Sequence, residues 1–145
     1  MWAAMAAITW PWHQIHFYQT LKAWIPAGIL FVLGAFIYVR AMRGFSGRQL
    51  GGLPEVVAGH RQRLNTSGIR DRIRHPVYLG HLCEMLAWSI GSGLVVNYGL
   101  TAFAIVTGAV MIRVEDQELE RRFGEEFRVY RERVPTIVPN MRSKR

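Results

Sequence analysis

Cysteine is almost absent from this 145-residue chain. Cys83 stands alone inside an apolar run, which excludes a disulfide framework and a cysteine-based metal cluster. Charge is missing from two long stretches: of the 28 acidic and basic residues, only Lys22 precedes Arg40 and only Glu84 falls between His75 and Ile112. No Gly-x-Gly-x-x-Gly follows a strand pattern, so a soluble dinucleotide-binding fold is excluded. No basic region precedes the first apolar stretch and no clear small-residue cleavage site follows it, so the N-terminus reads as retained rather than as a cleaved signal peptide. The length allows one domain, 1–145.

What is present is a segregated pattern. The remaining charges fall in two blocks, from Arg40 to Arg74 and from Arg113 to Arg145. Apolar runs alternating with Arg-dense segments are the pattern of a polytopic membrane protein. A net charge of +8 raises the question of nucleic acid. Excess Arg in a loop joining two apolar segments is better explained by cytoplasmic orientation and anionic headgroups, so no nucleic-acid partner is expected.

The expected fold class is an all-α integral membrane protein with three to four transmembrane helices and a cytoplasmic amphipathic C-terminal helix. Spans are predicted at about 21–39, 76–92 and 95–112, joined by a cytoplasmic loop over 44–75 and followed by a helix over 113–134. Pro76 sits where proline is best tolerated, at the first position of a helix. Gly28 and Gly34 permit close approach of a neighbouring helix. Met1 to Trp12 is too short to span alone; it either joins the stretch through Tyr18 as an imperfect helix or lies at the interface. From Arg113 onward, Leu119, Phe123, Phe127, Tyr130 and Val134 recur at helical spacing as one apolar face. Glu118 and Arg122 form a favourable i,i+4 pair on the same segment. Both charged blocks face the cytoplasm by the positive-inside rule, which brings loop and C-terminal helix together on one side of the membrane, expected to be the cell inner membrane.

Two local patterns stand out. One is the run from Thr66 to Gly80, with Gly68, Arg74-His75-Pro76, Tyr78 and Gly80 in order. The other begins at Glu115-Asp116 and continues through Leu119, Phe123-Gly124, Glu126-Phe127 and Tyr130 to Arg133-Val134-Pro135. Together they resemble the isoprenylcysteine carboxyl methyltransferase and phospholipid methyltransferase superfamily, over about Leu64 to Pro139. The resemblance implies methyl transfer from S-adenosylmethionine to a lipophilic small-molecule or lipid acceptor. It implies cofactor contacts from His75, Pro76, Val77, Tyr78, Glu115 and the stretch Gln62, Arg63, Leu64 and Asn65. Arg70 stands where the family often carries an aromatic, and Asp116 replaces the second Glu of a pair. The position of a family arginine that contacts the acceptor is Met111. The nearest arginine, Arg113, lies two residues on, about 200° around a helix. Arg113 and Glu115 are the candidate catalytic residues, Arg70 a further cofactor candidate, and no metal site is expected.

Physical chemistry gives these residues tasks of their own. The N-terminus of the helix opened by Pro76 has free N–H groups and a positive dipole end, suited to a carboxylate such as that of the cofactor's methionyl part. His75 and Tyr78 offer hydrogen bonds at that rim, and Glu115 can accept from ribose hydroxyls or an ammonium group. Arg70, Arg72 and Arg74 read first as headgroup and topology charge. Glu84, with His81 a turn before it, reads as a structural pair at membrane depth. Two other classes remain open: an NADPH-binding reductase similar to the membrane sterol reductases, with the three arginines on a nucleotide phosphate, and a non-catalytic membrane binding protein on the same scaffold. The acceptor's identity and the oligomeric state are left open.

Overall fold

The computed structural model describes residues 10–12, 14–43 and 64–137. Among these are four α-helices and no strand: α1 (Trp24–Met42), α2 (Pro76–Ser92), α3 (Val95–Phe123) and α4 (Glu125–Arg133). Short 3-10 turns lie at Trp10–Trp12, Leu21–Ala23 and Gly68–Asp71.

Small residues decide how the helices meet. The buried positions of α1 are Ala27, Gly34, Ile37 and Ala41, and those of α2 are Pro76, Gly80, Cys83, Ala87, Ser89 and Gly91. At the crossing, a Cβ placed on Gly34 would lie 2.9 Å from the Gly80 carbonyl oxygen and 3.0 Å from the Cys83 Cβ. The backbones therefore approach as closely as glycine allows, the contact that small residues give helices in lipid. Gly28 faces open space and takes no part in it. The central helix is α2: it packs on α1 and α3, which meet each other little. Between α2 and α3 the buried Ser89 and Thr101 hydroxyls are 2.9 Å apart, and Ser89 also donates to the Met85 carbonyl.

Large apolar side chains point outward. Ile25, Ile29, Val32 and Phe36 on α1 and Phe103, Ile105, Val106 and Val110 on α3 are all exposed. The stretches Leu21–Met42 and Val95–Phe123 are long and apolar enough to cross a membrane, and only 22 % and 11 % of their most apolar windows are buried. The core helix of a soluble protein would be mostly buried; small residues inside and large ones outside fit a helix whose solvent is lipid. At 17 residues α2 is shorter than the usual span of about 20.

Two boundaries differ from the expectation. No break occurs near Arg113, because α3 continues to Phe123, and the chain turns at Gly124, whose φ of 56° suits a residue without Cβ. The charged segment is thus a continuation of the apolar helix, followed by the short α4. Residues 14–20 carry no α-helix, so a helix running through Tyr18 does not form. This segment instead lies across the α2–α3 turn: Phe17 N donates to Gly93 O (2.9 Å) and Val95 N to Ile15 O (3.0 Å). The Tyr18 hydroxyl donates to the Ile90 carbonyl and meets the Tyr98 hydroxyl at 2.7 Å.

The expected apolar face of the C-terminal segment is present. Phe127, Tyr130 and Val134 form a buried cluster joined by Leu64, Leu119 and Phe123. The Glu118–Arg122 pair closes at 2.7 Å on the exposed side.

Candidate functional site

The two sequence patterns meet at one end of the bundle. After the 3-10 turn at Gly68–Asp71, Ile73 N donates back to the Ile69 carbonyl, and the chain enters α2 at Pro76 with His75 as the preceding cap residue. The antiparallel course of α3 brings Glu115 and Asp116, just past the apolar stretch ending at Ile112, opposite His75. The C-terminal chain beyond α4 closes over both: Arg74 N donates to Pro135 O (2.9 Å) and His75 N to Thr136 O (3.0 Å). The Tyr130 hydroxyl donates to the Arg70 carbonyl at 2.6 Å, and Arg70 Nη1 donates to the Ala41 carbonyl at the end of α1 at 2.8 Å. Four segments distant in sequence are therefore tied at one point.

His75 is buried, and each ring nitrogen faces a carboxylate. Nε2 lies 2.8 Å from Asp116 Oδ1 and Nδ1 lies 3.5 Å from Glu115 Oε2. Arg74 Nη1 takes the other Asp116 oxygen at 2.7 Å, and its Nη2 donates to Thr136 Oγ1 at 2.8 Å. Burial opposes the charged imidazole, but the Glu115 and Asp116 carboxylates outweigh it and raise its pKa above the ordinary value. Glu115 is held below the usual carboxylate range, first by its hydrogen bond from His75, against the opposing effect of burial. Burial pushes the Tyr130 hydroxyl up to about 12, so it remains a donor to Arg70 throughout the physiological range.

These contacts sort the expected site residues. His75, Tyr78 and Glu115 come together: the Tyr78 ring packs edge-on against His75 at 5.8 Å, and its hydroxyl helps lower the Glu115 carboxyl below the usual range. Pro76 and Val77 form the first turn of α2. There Val77 and Tyr78 have no carbonyl a turn earlier in the helix to receive their N–H groups. Leu64 packs on the Phe127 cluster, and the Asn65 side chain accepts from the backbone and hydroxyl of Ser67. Gln62 and Arg63 lie outside the described residues. Arg113 is exposed and joins none of the described contacts of the cluster; it lies about 200° around α3 from Glu115, which does. The reading of Arg74 as headgroup charge is overturned, since its side chain is 8 % exposed and ion-paired to Asp116. Breaking such a pair leaves an uncompensated buried charge, at a cost of about 3–5 kcal/mol.

Sequence reasoning missed Asp116, Thr136 and the Pro135 carbonyl. The signal for Asp116 was present in its adjacency to Glu115; nothing in the sequence announces that Thr136 returns to Arg74. Among the four paired charges Glu115 is the outward one, its side chain 48 % exposed while those of Arg74, His75 and Asp116 are 8 %, 3 % and 16 % exposed. A half-open carboxylate beside a helix N-terminus with spare N–H groups can hold a ligand carrying both donors and a negative group. That donor set fits S-adenosylmethionine, which has an ammonium, ribose hydroxyls and a carboxylate.

The chain belongs to the phospholipid methyltransferase family, whose sequence profile matches residues 23–126. It is similar to methanethiol S-methyltransferase 1 of Bradyrhizobium diazoefficiens, 34 % identical over 84 residues, which cover 56 % of this chain and 28 % of that protein. It is similar to protein-S-isoprenylcysteine O-methyltransferase B of Arabidopsis thaliana, 31 % identical over 99 residues, 65 % of this chain and 48 % of that protein. The human protein-S-isoprenylcysteine O-methyltransferase is 35 % identical over 85 residues, 52 % of this chain and 27 % of that protein. The matched region thus spans about half or less of the length of these relatives. No solved structure matches.

Proposed function

We propose that the chain transfers a methyl group from S-adenosylmethionine to a lipophilic or amphiphilic acceptor at the cytoplasmic face of a membrane. The observation that carries the reading is Glu115: an ionised, half-exposed carboxylate held by His75 beside the N–H groups that open α2, in a member of a methyltransferase family. Val77 and Tyr78 N–H groups would receive the cofactor's carboxylate, and Glu115 its ammonium or ribose hydroxyls. His75 acts chiefly by fixing Glu115, since both of its ring nitrogens already face carboxylates. When bound, the cofactor supplies a methyl group already activated on a sulfonium, so the protein's own work is orientation and exclusion of water. A carboxylate acceptor then needs no base and an amine only has to arrive neutral, whereas a hydroxyl acceptor has to give up its proton to a base. The exposed apolar faces of α1 and α3 give such an acceptor a route from lipid.

The NADPH reading has less support. Two of the three arginines proposed for a nucleotide phosphate are engaged inside the protein, Arg74 with Asp116 and Thr136 and Arg70 with the Ala41 carbonyl.

The test is thermal stabilisation of the purified protein in detergent by S-adenosylmethionine and by NADPH, side by side. A ligand at 100 times its Kd stabilises by about 2.7 kcal/mol. Stabilisation is expected with S-adenosylmethionine alone, and it is expected to vanish in Glu115→Ala and His75→Ala proteins that still fold. Stabilisation by NADPH alone, or unchanged S-adenosylmethionine affinity in both variants, would overturn the reading.

A further inference from the structure

We propose that Asp116 is a positioning residue of this site, which fixes the orientation and charge of His75 and through it the Glu115 carboxylate. The inference rests on the reading of Glu115 as the group that faces the cofactor.

The two carboxylates are consecutive on α3, about 100° apart around the helix, and so approach the imidazole from two sides. A neutral imidazole has one N–H and one lone pair and can satisfy only one of them. Its proton would stay with Asp116 at 2.8 Å, leaving the Nδ1 lone pair facing Glu115 Oε2 at 3.5 Å. Only the imidazolium donates to both. Asp116 is also fully committed to the protein, because its second oxygen takes Arg74 Nη1 at 2.7 Å. Arg74 is in turn fixed by Thr136, and the Arg74 and His75 backbones by Pro135 and Thr136. Adjacent carboxylates thus divide the labour: Asp116 faces inward and holds the histidine, Glu115 faces outward and is held by it.

The groups facing the imidazole come from each element packed against it. In the segment before α2, Arg74 shares Asp116 with the imidazole and Arg70 acts on Glu115, while Glu115 and Asp116 on α3 favour the imidazole's charge. Tyr78 on α2 lies against its ring, and the C-terminal chain contributes the uncharged Thr136. The carboxylates prevail, in keeping with the raised pKa of His75. With Asp116 replaced by an uncharged isostere, the imidazole loses its nearer counter-charge and Glu115 loses its donor at a lower pH.

The experiment is a pH titration of the full chain in detergent, labelled with 15N-histidine, with the His75 signal assigned by its loss in His75→Gln. In the unsubstituted protein both ring nitrogens are expected to be mainly protonated at pH 6.5, the ordinary midpoint. A neutral ring there overturns the proposal without any Asp116 variant. In Asp116→Asn the midpoint is expected about one pH unit lower, and Asp116→Glu is expected to restore it. S-adenosylmethionine binding, measured across the same range, is expected to weaken by up to about tenfold in Asp116→Asn between the two midpoints and to match the unsubstituted protein below both. An unmoved midpoint, or an equal loss of affinity at every pH, overturns the positioning role. If the unsubstituted protein binds no S-adenosylmethionine while the His75 midpoint still moves, the cofactor reading falls and the Asp116–His75 coupling stands.

Discussion

At the scale of single residues, the site is built by pairing buried charges so that one remains presented. Arg74 and His75 meet Glu115 and Asp116, and the set is electrically balanced only when His75 is protonated. This has a thermodynamic consequence. A histidine whose pKa is raised on folding contributes stability that is complete below its unfolded value, near 6.5. That stability is lost as pH rises through the higher folded value. The melting temperature in detergent is therefore expected to fall on the alkaline side of pH 6.5, and this part of the decline to vanish in His75→Gln. A decline of equal slope in both proteins would show that another group titrates. Tyr130 adds nothing to this window, because its hydroxyl, pushed up to about 12, stays protonated throughout.

At the scale of elements, the α1–α2 contact depends on backbone proximity rather than on side-chain volume. Gly28 and Gly34 lie on the same helix, yet a Cβ on Gly28 meets nothing within 4 Å whereas one on Gly34 lies 2.9 Å from a backbone oxygen. Alanine in a helix interior is favoured over glycine by about 1 kcal/mol. Gly28→Ala is expected to leave the melting temperature unchanged or raise it slightly. Gly34→Ala is expected to lower it, since a carbonyl in a helix cannot move aside as a flexible side chain can. Equal effects would mean that the helices are not in close contact at Gly34. The same contrast shows what the sequence could reveal. Apolar runs bounded by charge located the helices, and the spacing of Phe127, Tyr130 and Val134 showed the face that would be buried. The family resemblance of the two motifs singled out His75, Tyr78 and Glu115 as cofactor contacts, and the fold brings these three side chains together. The sequence did not distinguish Gly28 from Gly34, because the crossing point depends on helix rotation, which periodicity fixes loosely in a helix apolar on all sides. Nor did it show that α3 runs unbroken past Arg113: a change from apolar to charged residues alters the solvent of a helix without ending it. The end lies at Gly124, where the backbone itself changes. Thr136 was illegible for a different reason, since its contact with Arg74 spans 62 residues and only the fold brings them together.

At the scale of the whole molecule, the two ends of the bundle differ in chemistry. At the α2–α3 turn, Trp24 and Trp88 pack edge-on at 5.9 Å and Phe17 packs on Tyr98 at 5.4 Å. Lys22 is the one charged residue in the described chain nearby. Aromatic residues gather in this way at a membrane–water interface. The opposite end carries the Arg-rich segment before α2, the charged continuation of α3 and α4. If the positive-inside rule orients this chain, the cluster of Arg74, His75, Glu115 and Asp116 lies in the cytoplasm, where a soluble cofactor made in the cell can reach it. The alternative orientation would put that site on the side from which the cofactor is absent, so topology and proposed activity stand or fall together. Cys83 is the chain's sole cysteine and is buried, so its replacement by alanine gives a background for labelling. In that background, Glu118→Cys in the exposed part of α3 and Gln19→Cys beside the aromatic end are expected to react with a membrane-impermeant maleimide from opposite sides. Inverted membrane vesicles should label the cysteine at position 118, and intact cells stripped of any outer barrier should label the one at position 19. Labelling of both from one side would deny that the bundle spans the membrane. The reverse pattern would place the Glu115 carboxylate outside the cell, and S-adenosylmethionine could then not be its ligand.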